Sequence, residues 1–163
     1  MALVAVDVGG TNVRFALVGD SGLLHHASLL CRDHSTLEDA FSAYLSTVDT
    51  KVTAASIAVA GPVQAPQVEV TNNGWRFGKR ELMAALGIDR LLVVNEFTAQ
   101  ALAQSDPTAN GNLQILEGAS HEDAPLLVIG PGTGLGAAAL VSSPGGLLTL
   151  EGEGGHVGFA PQD

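Results

Sequence analysis

The chain has few cations. Seven Lys and Arg face seventeen Asp and Glu in 163 residues, giving a formal net charge of -10 at neutral pH and a pI near 4.7. Such acidity opposes non-specific attraction to nucleic acid or anionic lipid, and the cations are scattered instead of forming a basic stripe, so no nucleic-acid partner is expected. Cysteine is nearly absent as well. Cys31 stands alone, which excludes an internal disulfide and a Cys-x-x-Cys zinc site and reads as a buried, inert thiol. No apolar run approaches the ~18 residues of a membrane span, and no basic leader with a cleavage site opens the chain. These absences lead to the expectation of a soluble, cytoplasmic protein with no membrane partner.

What is present in quantity is apolar surface and glycine. Hydrophobic residues make up 46% and mean hydropathy is +0.28, so the chain is globular. Its length fits one ordinary domain, or a small domain plus part of another. The stretch that organises it runs from Ala5 to Arg14, an apolar strand that breaks at Gly9-Gly10 and resumes as Val13 to Val18. The glycine pair predicts a tight turn with φ > 0. Without a Cβ at either position, backbone amides can approach phosphate oxygens, while Asp7 at the strand end suits hydrated magnesium. An ordinary hairpin with a Gly-Gly turn fits the same residues. In so acidic a chain, bound phosphates would rely on backbone dipoles and magnesium more than on side-chain cations.

Leu3 to Asp7, Val13 to Val18 and Leu23 to Leu30 read as a β-meander, with His25 and His26 on opposite faces of the third strand. Ser35 to Glu38 opens a helix with Leu37, Phe41, Tyr44, Leu45 and Val48 at helical spacing. Ala54 to Ala60 is a buried strand ended by Gly61-Pro62, and Val68 to Val70 is a short hairpin strand. Next, Thr71-Asn72-Asn73-Gly74-Trp75 collects two amides, a glycine and the only tryptophan on one loop. It suits a polyhydroxy ligand, and it equally suits an Asx-turn stapled by a core Trp. Lys79 to Leu86 is a helix closed by Gly87, and Leu91 to Val94 a buried parallel strand that delivers Asn95-Glu96 ahead of a helix over Thr98 to Gln104. Ligands of open α/β sheets collect at such carboxyl ends, though an acid satisfying a helix dipole is the competing account of Glu96.

Ser105 to Gly111 reads as a linker, giving a small α/β domain over 1–110 and the start of a second over 111–163. Leu113 to Leu116, Leu126 to Ile129, Ala137 to Val141 and Leu147 to Leu150 read as strands. Gly132, Gly134 and Ala137 have the spacing of a dinucleotide fingerprint, with Glu151 about twenty residues on. The Ser142 to Gly146 interruption leaves no room for a crossover helix, so strand, glycine turn, strand fits better. No Gly-x-x-x-x-Gly-Lys-Ser/Thr motif is present. Glu153 and His156, among glycines near the end, suit hydroxyl recognition better than metal binding, to which they would supply at most two ligands.

The ordered set D-V-G-G-T-N, T-N-N-G-W, N-E-F-T-A, G-P-G-T-G-L-G and G-E-G-G-H-V-G-F-A-P resembles the bacterial glucokinases of the hexokinase and actin superfamily, across the whole chain. The resemblance implies an actin-like, ribonuclease H-like α/β fold with a five-stranded mixed sheet, two domains closing on glucose and ATP-magnesium. Asp7, Gly9, Gly10, Thr11 and Asn12 would form the first phosphate segment, with magnesium held by Asp7 through water. Gly132, Thr133 and Gly134 would form the second. Asn72, Asn95, Glu153 and His156 would hold sugar hydroxyls.

Two departures bear on activity. The family places an aspartate where this chain has Glu96, the expected general base on the sugar 6-hydroxyl, so glucose binding should survive better than turnover. Family members also run to roughly twice this length, so the chain is expected to be truncated and to expose apolar surface that a homodimer partner or a missing C-terminal segment would cover. The implied activity is glucose phosphorylation, the first step of glycolysis. A non-catalytic sugar-binding or regulatory module is the alternative.

Overall fold

The computed structural model describes residues 2–106, 112–119, 121, 124–131 and 135–152. The chain divides into two compact units, residues 1–96 and 97–163. In the first, β1 (Ala2–Val8), β2 (Asn12–Gly19) and β3 (Gly22–Leu30) form an antiparallel meander. β4 (Val52–Val59) pairs parallel to β1, and β7 (Arg90–Asn95) parallel to β4. The mixed sheet therefore has the order β3-β2-β1-β4-β7. A two-stranded hairpin of β5 (Gln67–Glu69) and β6 (Arg76–Gly78) follows β4 in the chain.

Directly paired residues share a face of a sheet. On one face Val4, Val6, Val8, Val13, Phe15, Leu17, Ile57 and Val59 are all buried. They join a core to which α1 (Leu37–Leu45) contributes Leu37, Ala40, Phe41 and Tyr44, and α2 (Lys79–Leu86) contributes Leu82. The Phe15 ring meets Phe41 edge-on at 5.3 Å and stacks on Tyr44 at 4.8 Å. Burial pushes the Tyr44 phenol above its ordinary value, while a backbone hydrogen bond with Leu17 pulls the other way. α1 starts where Thr36 Oγ1 accepts from the Asp39 N–H at 3.1 Å. α2 stops at Gly87, left-handed at φ 63°, with Gly87 N–H and Ile88 N–H donating to Ala84 O and Met83 O.

Three expectations need correction in the first unit. Gly9 and Gly10 are not among the positive-φ glycines; what the turn requires of Gly10 is space, since a Cβ there would sit 3.1 Å from Asn72 Cβ. His25 and His26 do not alternate simply. Phe15 pairs with Ala27 and Leu17 with Leu24, so two residues of β3 oppose Ala16 in a bulge, with His25 left-handed at φ 50°. Its carbonyl accepts from Tyr44 Oη at 3.1 Å. The helix after β7 is α3 (Glu96–Gln104), beginning at Glu96 instead of Thr98.

In the second unit β8 (Leu126–Pro131), β9 (Leu135–Ser143) and β10 (Gly146–Gly152) pair antiparallel in sequence order. Strand, glycine segment, strand is therefore the arrangement around the second glycine cluster. One sheet face packs Val128, Ala138 and Leu140 against Phe97 and Ala101 of α3. Gly130 and Gly136 are cross-strand partners, and a Cβ on either would run into the Phe97 ring, at 2.6 Å for Gly130. Leu127, Ile129, Leu148 and Leu150, on the other face, are exposed. Leu113 to Leu116 is not a strand: Leu113, Ile115 and Leu116 are 83%, 84% and 82% exposed, and among the described residues no strand pairs with them. An apolar run becomes a strand only where a neighbour takes its backbone hydrogen bonds. Among the described residues, no helix is long and apolar enough to cross a membrane.

Candidate functional site

β1, β4 and β7 run parallel, and their register sets Val8 opposite Val59 and Val59 opposite Asn95. Their carboxyl ends finish in one row, the edge at which open α/β sheets collect ligands. β1 and β7 are two strand spacings apart there, about 10 Å. The turn 9–11 leaves β1, Gly61 follows β4, and Glu96 heads α3 after β7.

The turn is closed by Gly9 N–H donating to Asn12 O at 3.0 Å. Thr11 is exposed at its tip. Gly9 O is taken by the neighbouring loop, accepting from Asn73 Nδ2 at 3.1 Å, and lies 3.5 Å from Cys31 Sγ. Asn12 points its amide along the meander, Nδ2 donating to Ser28 Oγ at 3.4 Å. Asp7 sits at the root of the turn, 2.7 Å from the Arg14 guanidinium; the two side chains are 48% and 62% exposed, so the pair is screened by water and worth little to stability.

The 71–75 loop is built as the Asx-turn alternative has it. Asn73 Oδ1 accepts from Trp75 N–H at 2.9 Å, and Trp75, 5% exposed, anchors the loop in the core. Asn72 is exposed in a left-handed conformation, φ 73°, beside Gly10. Asn95 donates through Nδ2 to Gly61 O at 3.2 Å. Gly61 is irreplaceable in space, with φ 143° and a virtual Cβ 2.7 Å from Glu69 O.

The structure thus brings Gly9, Gly10, Thr11 and Asn72 side by side, and sets Asn95 and Glu96 at the same sheet edge. It does not put every candidate on one face: Asp7 shares its face with Arg14, Ala58 and Val94, opposite to that of Asn95. Gly132, Thr133, Gly134, Glu153 and His156 lie outside the described residues. Among the described residues, no group of three His, Cys, Asp or Glu is placed to hold a metal. Sequence reasoning offered the Asx-turn without saying which amide makes it, and gave Gly61 only as the exit of a strand, not as the partner of Asn95. The signal for Asn73 was its place two residues before Trp75, the spacing of an Asx-turn.

The chain is similar to several known proteins. The glucokinase of Neisseria gonorrhoeae is 42% identical over 162 residues, covering 98% of this chain and 49% of its own. A crystal structure of glucokinase from an Antarctic psychrotroph is 37% identical with a TM-score of 0.85, over 99% of this chain and 53% of that one. A ROK family glucokinase from Streptomyces griseus, solved with glucose and AMPPNP, shares the fold at 23% identity and a TM-score of 0.61, over 86% of this chain and 45% of its own. The fold is the actin-like ATPase fold of sugar kinases. The chain spans about half the length of the curated relatives it matches. With a glucokinase family model matching residues 3–163 on top of that register and loop geometry, the chain belongs to the glucokinase family.

Proposed function

We propose that this chain forms the glucose- and phosphate-binding part of an ATP-dependent hexose kinase, which transfers the γ-phosphoryl group of ATP to the 6-hydroxyl of glucose. The observation that supports this is the convergence of the Gly9–Thr11 turn, the Asn72 loop and Asn95-Glu96 on the carboxyl ends of adjacent parallel strands. In this reading the segment Gly9, Gly10, Thr11 and Asn12 offers backbone amides to phosphate oxygens, and Asn72 and Asn95 hold sugar hydroxyls. The 6-oxygen attacks the γ-phosphorus, its proton passes to Glu96, and the bond to the bridging oxygen breaks to release ADP. Gly132, Thr133 and Gly134 make the second phosphate segment, and Glu153 and His156 complete the sugar site.

Magnesium suits these residues, since it keeps several waters and needs one or two carboxylates besides phosphate. Asp7, half-exposed at the root of the turn, would hold it through water. Bound there it would offset charge on the β- and γ-phosphates. We place the reaction at the entry of glucose into glycolysis, in the cytoplasm. The exposed leucine face of β8–β10 supports burial against a second copy or a further segment of the kinase.

The test follows Trp75 emission during glucose titration, and ADP release with glucose, ATP and magnesium. Glucose should change the emission, and Glu96→Gln should lower ADP release about a hundredfold or more. Equal release from the Gln variant removes Glu96 from the base role, and a chain that binds no glucose overturns the assignment. One observation favours a second reading. Glu96 is one methylene longer than the family aspartate, and misplacement by about an ångström costs about a hundredfold in rate. Glucose binding without ATP-magnesium binding would select a non-catalytic sugar-binding module.

A further inference from the structure

A closed ring of hydrogen bonds ties three segments of the first unit around the glycine turn. Asn73 Nδ2 donates to Gly9 O at 3.1 Å, while Asn73 Oδ1 accepts from Trp75 N–H at 2.9 Å. Trp75 Nε1 donates to His34 O at 3.3 Å. His34 follows the short 3-10 turn Cys31–Asp33, whose first residue returns to the glycine turn. There Cys31 N–H donates to Thr11 O at 2.9 Å and Sγ approaches Gly9 O.

Within this ring, one side chain joins the turn directly to the loop. The Asn73 amide uses its donor on the turn and its acceptor on the loop at once, so each bond polarises the other. The two segments also lie close, since a Cβ added at Gly10 would sit 3.1 Å from Asn72 Cβ. Asn72 in the loop is also held in an uncommon backbone state, φ 73°. Such a state persists when its surroundings over-determine it. A displacement of the loop therefore reaches the turn through the Asn73 amide.

We propose that Asn73 is a positioning residue that locks the phosphate turn to the sugar loop, so that a sugar seated against Asn72 also sets the amides of Gly9 to Thr11. This rests on the kinase reading above. Asn73 touches no reacting atom. It fixes the distance between the two substrates, the quantity on which transfer in line depends.

The test is an amide-resolved NMR titration of the whole chain with glucose. In the native chain the resonances of Asn72 to Trp75 shift, and those of Gly9 to Thr11 shift with them. In Asn73→Ser the hydroxyl still accepts from Trp75 N–H but is too short to reach Gly9 O, so the loop shifts survive and the turn shifts are lost. Asn73→Asp keeps the oxygen and removes the donor, with the same loss, should the Ser variant not fold. A turn that still responds in a folded variant overturns the proposal. So does a native chain whose loop responds while its turn does not, a result that needs no variant. A native chain in which neither responds overturns the sugar-site reading itself, and this proposal with it.

Discussion

Gly61→Ala tests whether the end of β4 is as tightly built as its geometry implies. Gly61 has φ 143°, a region that side chains rarely adopt, and an added Cβ would lie 2.7 Å from Glu69 O and 3.2 Å from Thr71 Oγ1. The first atom belongs to the backbone of the β5–β6 hairpin, which is itself held by Thr71 N–H donating to Ala60 O at 2.8 Å and Val70 N–H donating to Trp75 O at 2.8 Å. It cannot swing aside. Backbone strain of this kind costs about 1–3 kcal/mol, and forcing an extra methyl into filled space costs about 1–3 kcal/mol. The expected loss is therefore about 2–6 kcal/mol. Gly87→Ala is the control, because Gly87 is also left-handed, φ 63°, yet its Cβ would meet nothing within 4 Å. It should lose only the conformational part, about 1 kcal/mol. Urea unfolding followed by Trp75 emission reads both, since the single tryptophan is buried in the unit that holds both glycines. Equal m-values with a lower midpoint for Gly61→Ala are expected. Two variants of equal stability would refute the steric argument and leave φ alone to explain the glycine.

Two further outcomes follow from the same unit. Asn72→Gly should keep or raise stability, by up to about 1 kcal/mol, because glycine adopts φ 73° without strain, while glucose affinity falls with the lost amide; a melting temperature and a calorimetric titration on the same variant check the opposite signs. Tyr44 carries a raised pKa from burial, so the folded state holds its proton more tightly than the unfolded one. Its contribution is complete below the ordinary phenol value of 10.0 and is lost as pH rises through the folded value. Tyr44→Phe should therefore flatten the alkaline limb of the stability profile, and an unchanged limb in urea melts above that pH would assign the loss to other groups.

Much of the first unit was legible because its signals are local. Thr36 with acids in the first turn and apolar residues at helical spacing fits α1, Gly87 fits the end of α2, and the run around Ile57 reads as a strand buried between neighbours; the run around Val93 is parallel as expected but not buried, because β7 ends the sheet and leaves Leu92 56% exposed. The misreadings occur where a non-local partner decides. Leu113 to Leu116 has the composition of a strand but, among the described residues, no strand beside it. Arg76–Gly78 is a strand because Gln67–Glu69 pairs with it, and no periodicity in three residues announces that. At His25 the alternation fails because β2 and β3 differ by one residue between their matched pairs, a count that neither strand carries by itself.

The candidate site divides along the same line. Asp7, Asn95 and Glu96 can be placed at strand ends from the apolar runs that precede them, since a run must stop somewhere and a polar residue marks the stop. The glycine pair is different. Positive φ was the expected reason for it, because that is what glycine offers a turn seen in isolation. In the fold the demand comes from outside the turn: Asn72 occupies the space a Gly10 side chain would need, and Asn73 and Cys31 converge on the carbonyl of Gly9. A side chain at Gly10 would have to displace Asn72, the residue proposed to meet the sugar. The glycine proposed to clear an approach for phosphate thus also clears space for the 71–75 loop, because the turn after β1 and that loop are tied together by the same ring of hydrogen bonds.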